Sequence, residues 1–178
     1  MKLDFGVPLG GIVQYAYVVE DIEQSMADFT ARLGIGPWFL RDHFTPPEGR
    51  LRGKPTGGVF SLARAFSGHA MVELIQQHDE SPSVFHEDPG PRSYGFHHWA
   101  VFTADFDGDV ERYLALGWEQ AFYDRLPSGS RVTYMDPRGE LPGMLELIEH
   151  SDAQERVYTN IYLASLGWDG GDPVRKEG

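Results

Sequence analysis

Gly95-Phe96-His97-His98-Trp99-Ala100-Val101-Phe102-Thr103 decides how this chain is read, because it repeats an earlier stretch, Gly11-Ile12-Val13-Gln14-Tyr15-Ala16-Tyr17-Val18-Val19. Both are rich in β-branched and aromatic residues and read as strands. Each leads to an acidic cap, Asp21 or Asp105, and then to apolar residues at helical spacing. Those are Ile22, Met26, Phe29 and Leu33 in the first copy, and Phe106, Val110 and Tyr113 in the second. One constant offset carries Gln14 to His98, Ala16 to Ala100 and Asp21 to Asp105. Gln24 after Asp21, and Gly34 after Leu33, add signals for both ends of the first helix.

Outward from these stretches the likeness continues. Aromatic-rich strands follow each helix, with Gly34 to Phe39 answered by Leu116 to Phe122. Each half then closes on a near-copy, Met71-Val72-Glu73-Leu74-Ile75-Gln76 and Met144-Leu145-Glu146-Leu147-Ile148-Glu149. Recurrence of the whole order, strand, helix, strands and terminal strand, indicates a duplicated module in an α+β fold. The first module is expected over 11–77 and the second over 94–150, with a C-terminal helix and tail over 151–178, all in one domain of 1–178. The helix should span Asp152 to Leu166 and end in a turn-rich stretch, Gly167 to Pro173. The module boundary is placed in Gln77 to Ser93, with a helical turn near Ser83 to Glu87. Arg41 to Gly58, with three prolines and four glycines, reads as a long loop: a mobile flap over a cavity, or a solvated segment without a role.

Bulk composition excludes several partners. A formal charge of −12, from 27 acidic against 15 basic side chains, argues against nucleic acid. The chain has no cysteine, which removes disulfides, thiolate nucleophiles and Cys-ligated zinc. No run approaches the ~20 apolar residues of a membrane span, and none near Met1 has signal length, so a cytoplasmic protein is expected.

Strand alternation puts Ile12, Gln14, Ala16 and Val18 on one face, and Phe96, His98, Ala100 and Phe102 on the equivalent face of the second module. Met71, Glu73 and Ile75 share a face, as do Met144, Glu146 and Ile148. Four polar groups therefore stand among apolar neighbours, two per module at matching positions. An unpaired buried carboxylate is costly, and a divalent cation is one remedy. Gln14, Glu73, His98 and Glu146 supply an amide oxygen, an imidazole and two carboxylates, a set suited to Zn, Ni, Co, Mn or Fe. The alternative leaves Glu73 and Glu146 in solvent and Gln14 on the backbone. His97 should point to the opposite face as a packed core histidine. His43, His69, His78, His86 and His150 fall near turns or strand ends, where surface placement is expected.

The pattern Gln14 to Asp21, Glu73 within VELI, Gly95-Phe96-His97-His98 and Glu146 within LELIE resembles the vicinal oxygen chelate superfamily, which groups glyoxalases, bleomycin-resistance proteins and dioxygenases. The resemblance covers about residues 11 to 150. It implies two tandem βαβββ modules forming a cupped mixed sheet, with metal ligands from the first and last strands of each module. Gln14, Glu73, His98 and Glu146 then match a ligand set found in glyoxalase I. The Gly-x-His-His strand resembles methylmalonyl-CoA epimerase, although epimerases usually carry His where this chain has Gln14. Val18 and Tyr94 stand where glyoxalase I has arginines for the glutathione carboxylates, so a non-glutathione substrate is expected.

The implied chemistry is that of a metal-dependent lyase or isomerase, in which a carboxylate removes a proton next to a metal-bound carbonyl. Glu146 is the expected base, with Glu73 as alternative or partner, and Gln14 and His98 as ligands only. Tyr15, Tyr17, Trp38, Phe39, Phe60, Trp99 and Tyr134 could line an apolar pocket for an acyl-CoA or aromatic small molecule; alternation puts Tyr15, Tyr17 and Trp99 on the helix side. A homodimer follows from the resemblance. The rivals are a metal-free binding or resistance protein and an Fe(II) extradiol-type dioxygenase, which would want two histidines and one carboxylate facially arranged where only His98 is available in the right strands.

Overall fold

The structure, a computed structural model, describes residues 1–87 and 93–177. The first module contains β1 (Ile12–Val18), α1 (Ile22–Leu33), β2 (Trp38–Phe44), a hairpin of β3 (Arg50–Leu51) and β4 (Lys54–Pro55), β5 (Phe60–Ser67) and β6 (Ala70–Gln77). The second contains β7 (Gly95–Thr103), α2 (Phe106–Ala115), β8 (Glu119–Arg125), β9 (Arg131–Asp136) and β10 (Met144–Glu149). The helix α3 (Asp152–Ser165) and the strand β11 (Val174–Lys176) follow.

All strands join one mixed sheet in the order β11-β2-β5-β6-β1-β7-β10-β9-β8-β3-β4. In each module the first strand lies parallel to the last, β1 beside β6 and β7 beside β10. The modules meet where β1 pairs antiparallel with β7. Hence the four strands carrying Gln14, Glu73, His98 and Glu146 lie side by side at the centre of a cupped α+β fold.

The helix signals hold. Asp21 accepts the Gln24 N–H at 2.9 Å and Gly34 ends α1 in the left-handed region at φ 67°. Asp105 caps α2 by accepting from the Gly108 N–H. Ile22 and Met26 of α1 pack on Trp38, Ala63, Val72 and Leu74, while Phe106 of α2 packs on Met135 and Leu147. The helix α3 lies on the other face, where Tyr158 and Ile161 meet Met71, Phe102 and Ile148. Covered on both faces, β6 buries five consecutive residues and loses the alternation of a half-exposed strand.

Two features differ from the sequence expectations, and both termini add structure beyond them. Arg41 to Gly58 is not one loop: β2 continues to Phe44, and the β3–β4 hairpin pairs with the edge of β8. Arg52 ties that hairpin to Glu87, Glu119 and Asp136 at 2.8–2.9 Å, while Arg41, Phe44 and Pro46 of the same stretch line the central cavity. Ser83 to His86 closes as a two-sided bridge around a turn rather than a helical turn, and residues 88–92 of the boundary stretch lie outside the described residues.

The turns of Gly167 to Pro173 fall as expected, but the tail continues beyond them. Its strand β11 adds in parallel to β2, with the Trp168 ring so close to Gly36 that a Cβ there would lie 2.4 Å away. Finally, no periodicity marks the segment before Gly11, yet Leu3 and Phe5 are buried against α3. Among the described residues no helix is long and apolar enough to cross a membrane.

Candidate metal centre and active-site cavity

Gln14, Glu73, His98 and Glu146 converge at one buried point. The Gln14 Nε2 donates to Glu73 Oε2 at 3.1 Å and Glu146 Oε2 at 3.3 Å, and lies 3.3 Å from His98 Nε2. His98 Nε2 lies 3.7 Å from Glu73 Oε2 and 3.4 Å from Glu146 Oε2. On its other side, Gln14 Oε1 accepts from the Tyr158 hydroxyl at 2.8 Å. Of the two sequence alternatives for the glutamates, solvent and convergence, the geometry has convergence.

Burial sets the electrostatics. It raises the carboxyls of Glu73 and Glu146 to about 8; the Glu146 charge adds to the shift at Glu73, and the Arg64 guanidinium opposes it at both. Burial lowers His98 and His97 to about 3, so both imidazoles are neutral. The tautomers then follow from one acceptor. The Val84 carbonyl, 3.1 Å from His97 Nε2, can only accept, so His97 carries its proton on Nε2 and presents a bare Nδ1. That Nδ1 is 2.9 Å from His98 Nδ1, which must donate to it. His98 Nε2 is left unprotonated and aimed at the glutamates.

His97 reaches this position because β7 is not regular. A bulge falls between the pairs Ala16–His98 and Tyr17–Phe96, so the expected alternation fails there. Phe96, expected on the His98 face, packs instead with Tyr17 and Trp99. His97, expected on the opposite face, packs on Phe85 and Tyr134 and contacts His98.

A cavity of about 390 Å³ opens beside the cluster and is lined by Glu73, Glu146, Arg64, Arg41, Tyr134 and Tyr158, among others. Of the aromatics expected in it, Phe39, Phe60 and Tyr134 line it. Trp38 is core, and Tyr17 packs on Phe29 of α1 as its helix-side position implies. Tyr15 and Trp99 also lie away from the cavity lining. Sequence reading missed Arg64 and Tyr158. A signal for Arg64 existed in the alternation of β5, where Phe60, Leu62 and Arg64 share the cavity side.

Of the other histidines, His43 and His69 are exposed as their turn positions suggested, while His86 and His150 are half-buried. His150 pairs with Glu155 at 2.6 Å, and His86 lies 3.5 Å from Glu80. Asp42, His43 and His78 form a separate group whose ligand atoms lie within 4.8 Å of one another; the His43 and His78 rings stack at 3.9 Å.

With this geometry in view, the likeness to known proteins lies at the level of superfamily and fold. The family model for the glyoxalase/bleomycin resistance protein/dioxygenase superfamily matches residues 13–134, most of both modules. This chain belongs to that superfamily. No curated protein matches it. Among solved structures, this superfamily member is similar to methylmalonyl-CoA epimerase from Mycobacterium tuberculosis, with 19% identity, a TM-score of 0.59, and coverage of 83% of this chain and 93% of that one. A methylmalonyl-CoA epimerase in complex with methylmalonyl-CoA and ammonium matches at 19% identity and a TM-score of 0.53, covering 82% and 98%. A hypothetical protein from Bacillus halodurans matches at 15% identity and a TM-score of 0.54, covering 80% and 95%. At these identities the superfamily fold is what is shared.

Proposed function

We propose that this protein is a divalent-metal-dependent enzyme of the lyase or isomerase type, which removes a proton next to a substrate carbonyl. One observation carries the reading: two buried carboxylates and an unprotonated imidazole nitrogen all face the Gln14 amide nitrogen. A hydrogen-bond donor to both glutamates stands where a cation would satisfy the same three acceptors. Turning the amide by half a rotation would bring Oε1 toward that position and Nε2 toward the Tyr158 hydroxyl, which can also accept. Gln14, Glu73, His98 and Glu146 thus fit Zn, Ni, Co, Mn or Fe as a mixed N,O donor set.

A bound divalent cation would supply Lewis-acid polarisation of a substrate carbonyl. The protein's own residues do the rest. Glu146 takes the proton, with Glu73 as partner; both line the cavity, and a bound cation would displace the protons that burial holds on them, leaving carboxylates able to accept. Tyr134, across the β10–β9 pair from Glu146, and Tyr158 line the same wall with hydroxyls that burial keeps neutral. The aromatic lining from Phe39, Phe60, Phe85 and Phe122 suits a partly apolar small molecule such as an acyl-CoA. A cytoplasmic homodimer belongs to the same reading, in keeping with an acidic chain that lacks cysteine.

The test is solvent deuterium exchange into candidate acyl-CoA substrates. Glu146→Gln should fold and abolish exchange at the substrate carbon. Exchange at the wild-type rate in that variant would remove Glu146 from the mechanism. The satisfied Gln14 amide favours a second reading, a metal-free binding protein; a stoichiometric divalent ion in protein purified without added metal would decide against it.

A further inference from the structure

Arg64 projects into the cavity from β5, directly across from Glu73 on β6, with its side chain 14% exposed. Its Nη2 donates to both carboxylate oxygens of Glu177, at 2.7 and 2.6 Å. Its Nε is buried and has no hydrogen-bond partner. A guanidinium is built to hold a carboxylate through two parallel N–H bonds from two nitrogens. Here one nitrogen serves both oxygens and another donor faces no acceptor, so the fork is only half used. Arg41, a second guanidinium, lines the same cavity.

Glu177 stands at the end of a short edge strand. It follows β11, a three-residue strand on the outer edge of β2, and its own N–H donates to the Leu40 carbonyl at 2.8 Å. Short edge strands lie at the low-stability end of a fold and can leave without unfolding the rest. The glutamate itself lines the cavity that holds Glu73 and Glu146.

We propose that Arg64 anchors a carboxylate carried by the substrate, and that Glu177 occupies this anchor as an internal competitor which the incoming carboxylate displaces. The inference rests on reading the cavity as the substrate site. It adds a chemical requirement: the substrate bears an anionic oxygen group as well as the carbonyl and acidic C–H. An internal ligand competes at a high effective concentration, so its removal should raise the affinity for an external carboxylate by about tenfold or more.

Malonate is the probe, titrated calorimetrically into as-purified and chelator-treated protein, with malonamide as the neutral control. Malonate should bind both preparations and malonamide neither. Glu177→Gln should tighten malonate binding by about tenfold, and the double variant Arg64→Met with Glu177→Gln should lose it. That double variant removes both charges and leaves neither buried alone. In the wild type, malonate should also speed amide hydrogen exchange across Val174–Glu177. Unchanged affinity in Glu177→Gln, binding retained without Arg64, or binding that vanishes on chelation would each overturn the proposal. Malonate held by Arg64 in a protein that binds no metal and exchanges no substrate proton would sink the catalytic reading alone. Intact metal binding and proton exchange without any effect of Arg64 would sink the anchor alone.

Discussion

The backbone carbonyl of Val84 determines which nitrogen of His98 is free. Because it can only accept, it fixes His97, and His97 fixes His98 through the 2.9 Å contact between their Nδ1 atoms. Outer partners of this kind orient a ligand and tune its basicity, and losing one weakens metal affinity by about 10- to 100-fold. His97→Phe should therefore retain the site but bind metal about 10- to 100-fold more weakly, whereas His98→Ala should abolish binding, as read by competition with a chromophoric chelator. Equal loss in both variants would mean that His97 is itself a ligand. The sequence made Gln14, Glu73, His98 and Glu146 legible because each is a polar residue set in an apolar strand. It could not reveal the role of His97, since a bulge reverses the face that alternation assigns. Nor could it reveal Tyr158, whose link to Gln14 spans most of the chain.

At the scale of elements, the caps Asp21 and Asp105 were the most readable feature, and Ser151, which sequence reading missed, works in the same way. Asp21, Asp105 and Ser151 each accept the N–H three residues on, because a helix start leaves donors that a short oxygen-bearing side chain can satisfy. Ser151 also meets Ser130 Oγ at 2.8 Å, tying α3 to the start of β9. Ser151→Ala should cost about 1 kcal/mol in urea unfolding, and a change indistinguishable from zero would show that α3 is held by its buried face alone. The edge strands were the least readable. The two residues of β3 and the three of β11 are too short to show a period, and their partners β8 and β2 are remote in sequence. Long-range pairing creates β11 and fixes the β3–β4 hairpin on the edge of β8.

For the whole molecule, duplication brings two terminal-strand glutamates to one buried point, and pH should expose the consequence. Burial raises Glu73 and Glu146 from 4.5 to about 8, so the folded metal-free protein holds protons that the unfolded chain releases. Their contribution to stability is fully present below about pH 4.5 and is lost as pH rises through about 8. Chelator-treated protein should accordingly lose melting temperature between pH 5 and pH 8, about those limits, and Glu73→Gln should flatten the decline. A melting temperature that rises over this window with no effect of Glu73→Gln would mean that the pair is not buried in solution. Since metal binding must displace the same protons, affinity for the cation should increase over the same range.

The most direct measurement is a Co(II) titration of chelator-treated protein, followed by the visible absorption of the bound ion in the wild type and in His98→Ala, Glu146→Gln and His43→Ala. One equivalent should bind the wild type and His43→Ala, while His98→Ala and Glu146→Gln lose or sharply weaken it. Failure of the wild type to bind, or an ion that survives loss of His98 and disappears with His43, would contradict a metal centre built from the paired modules.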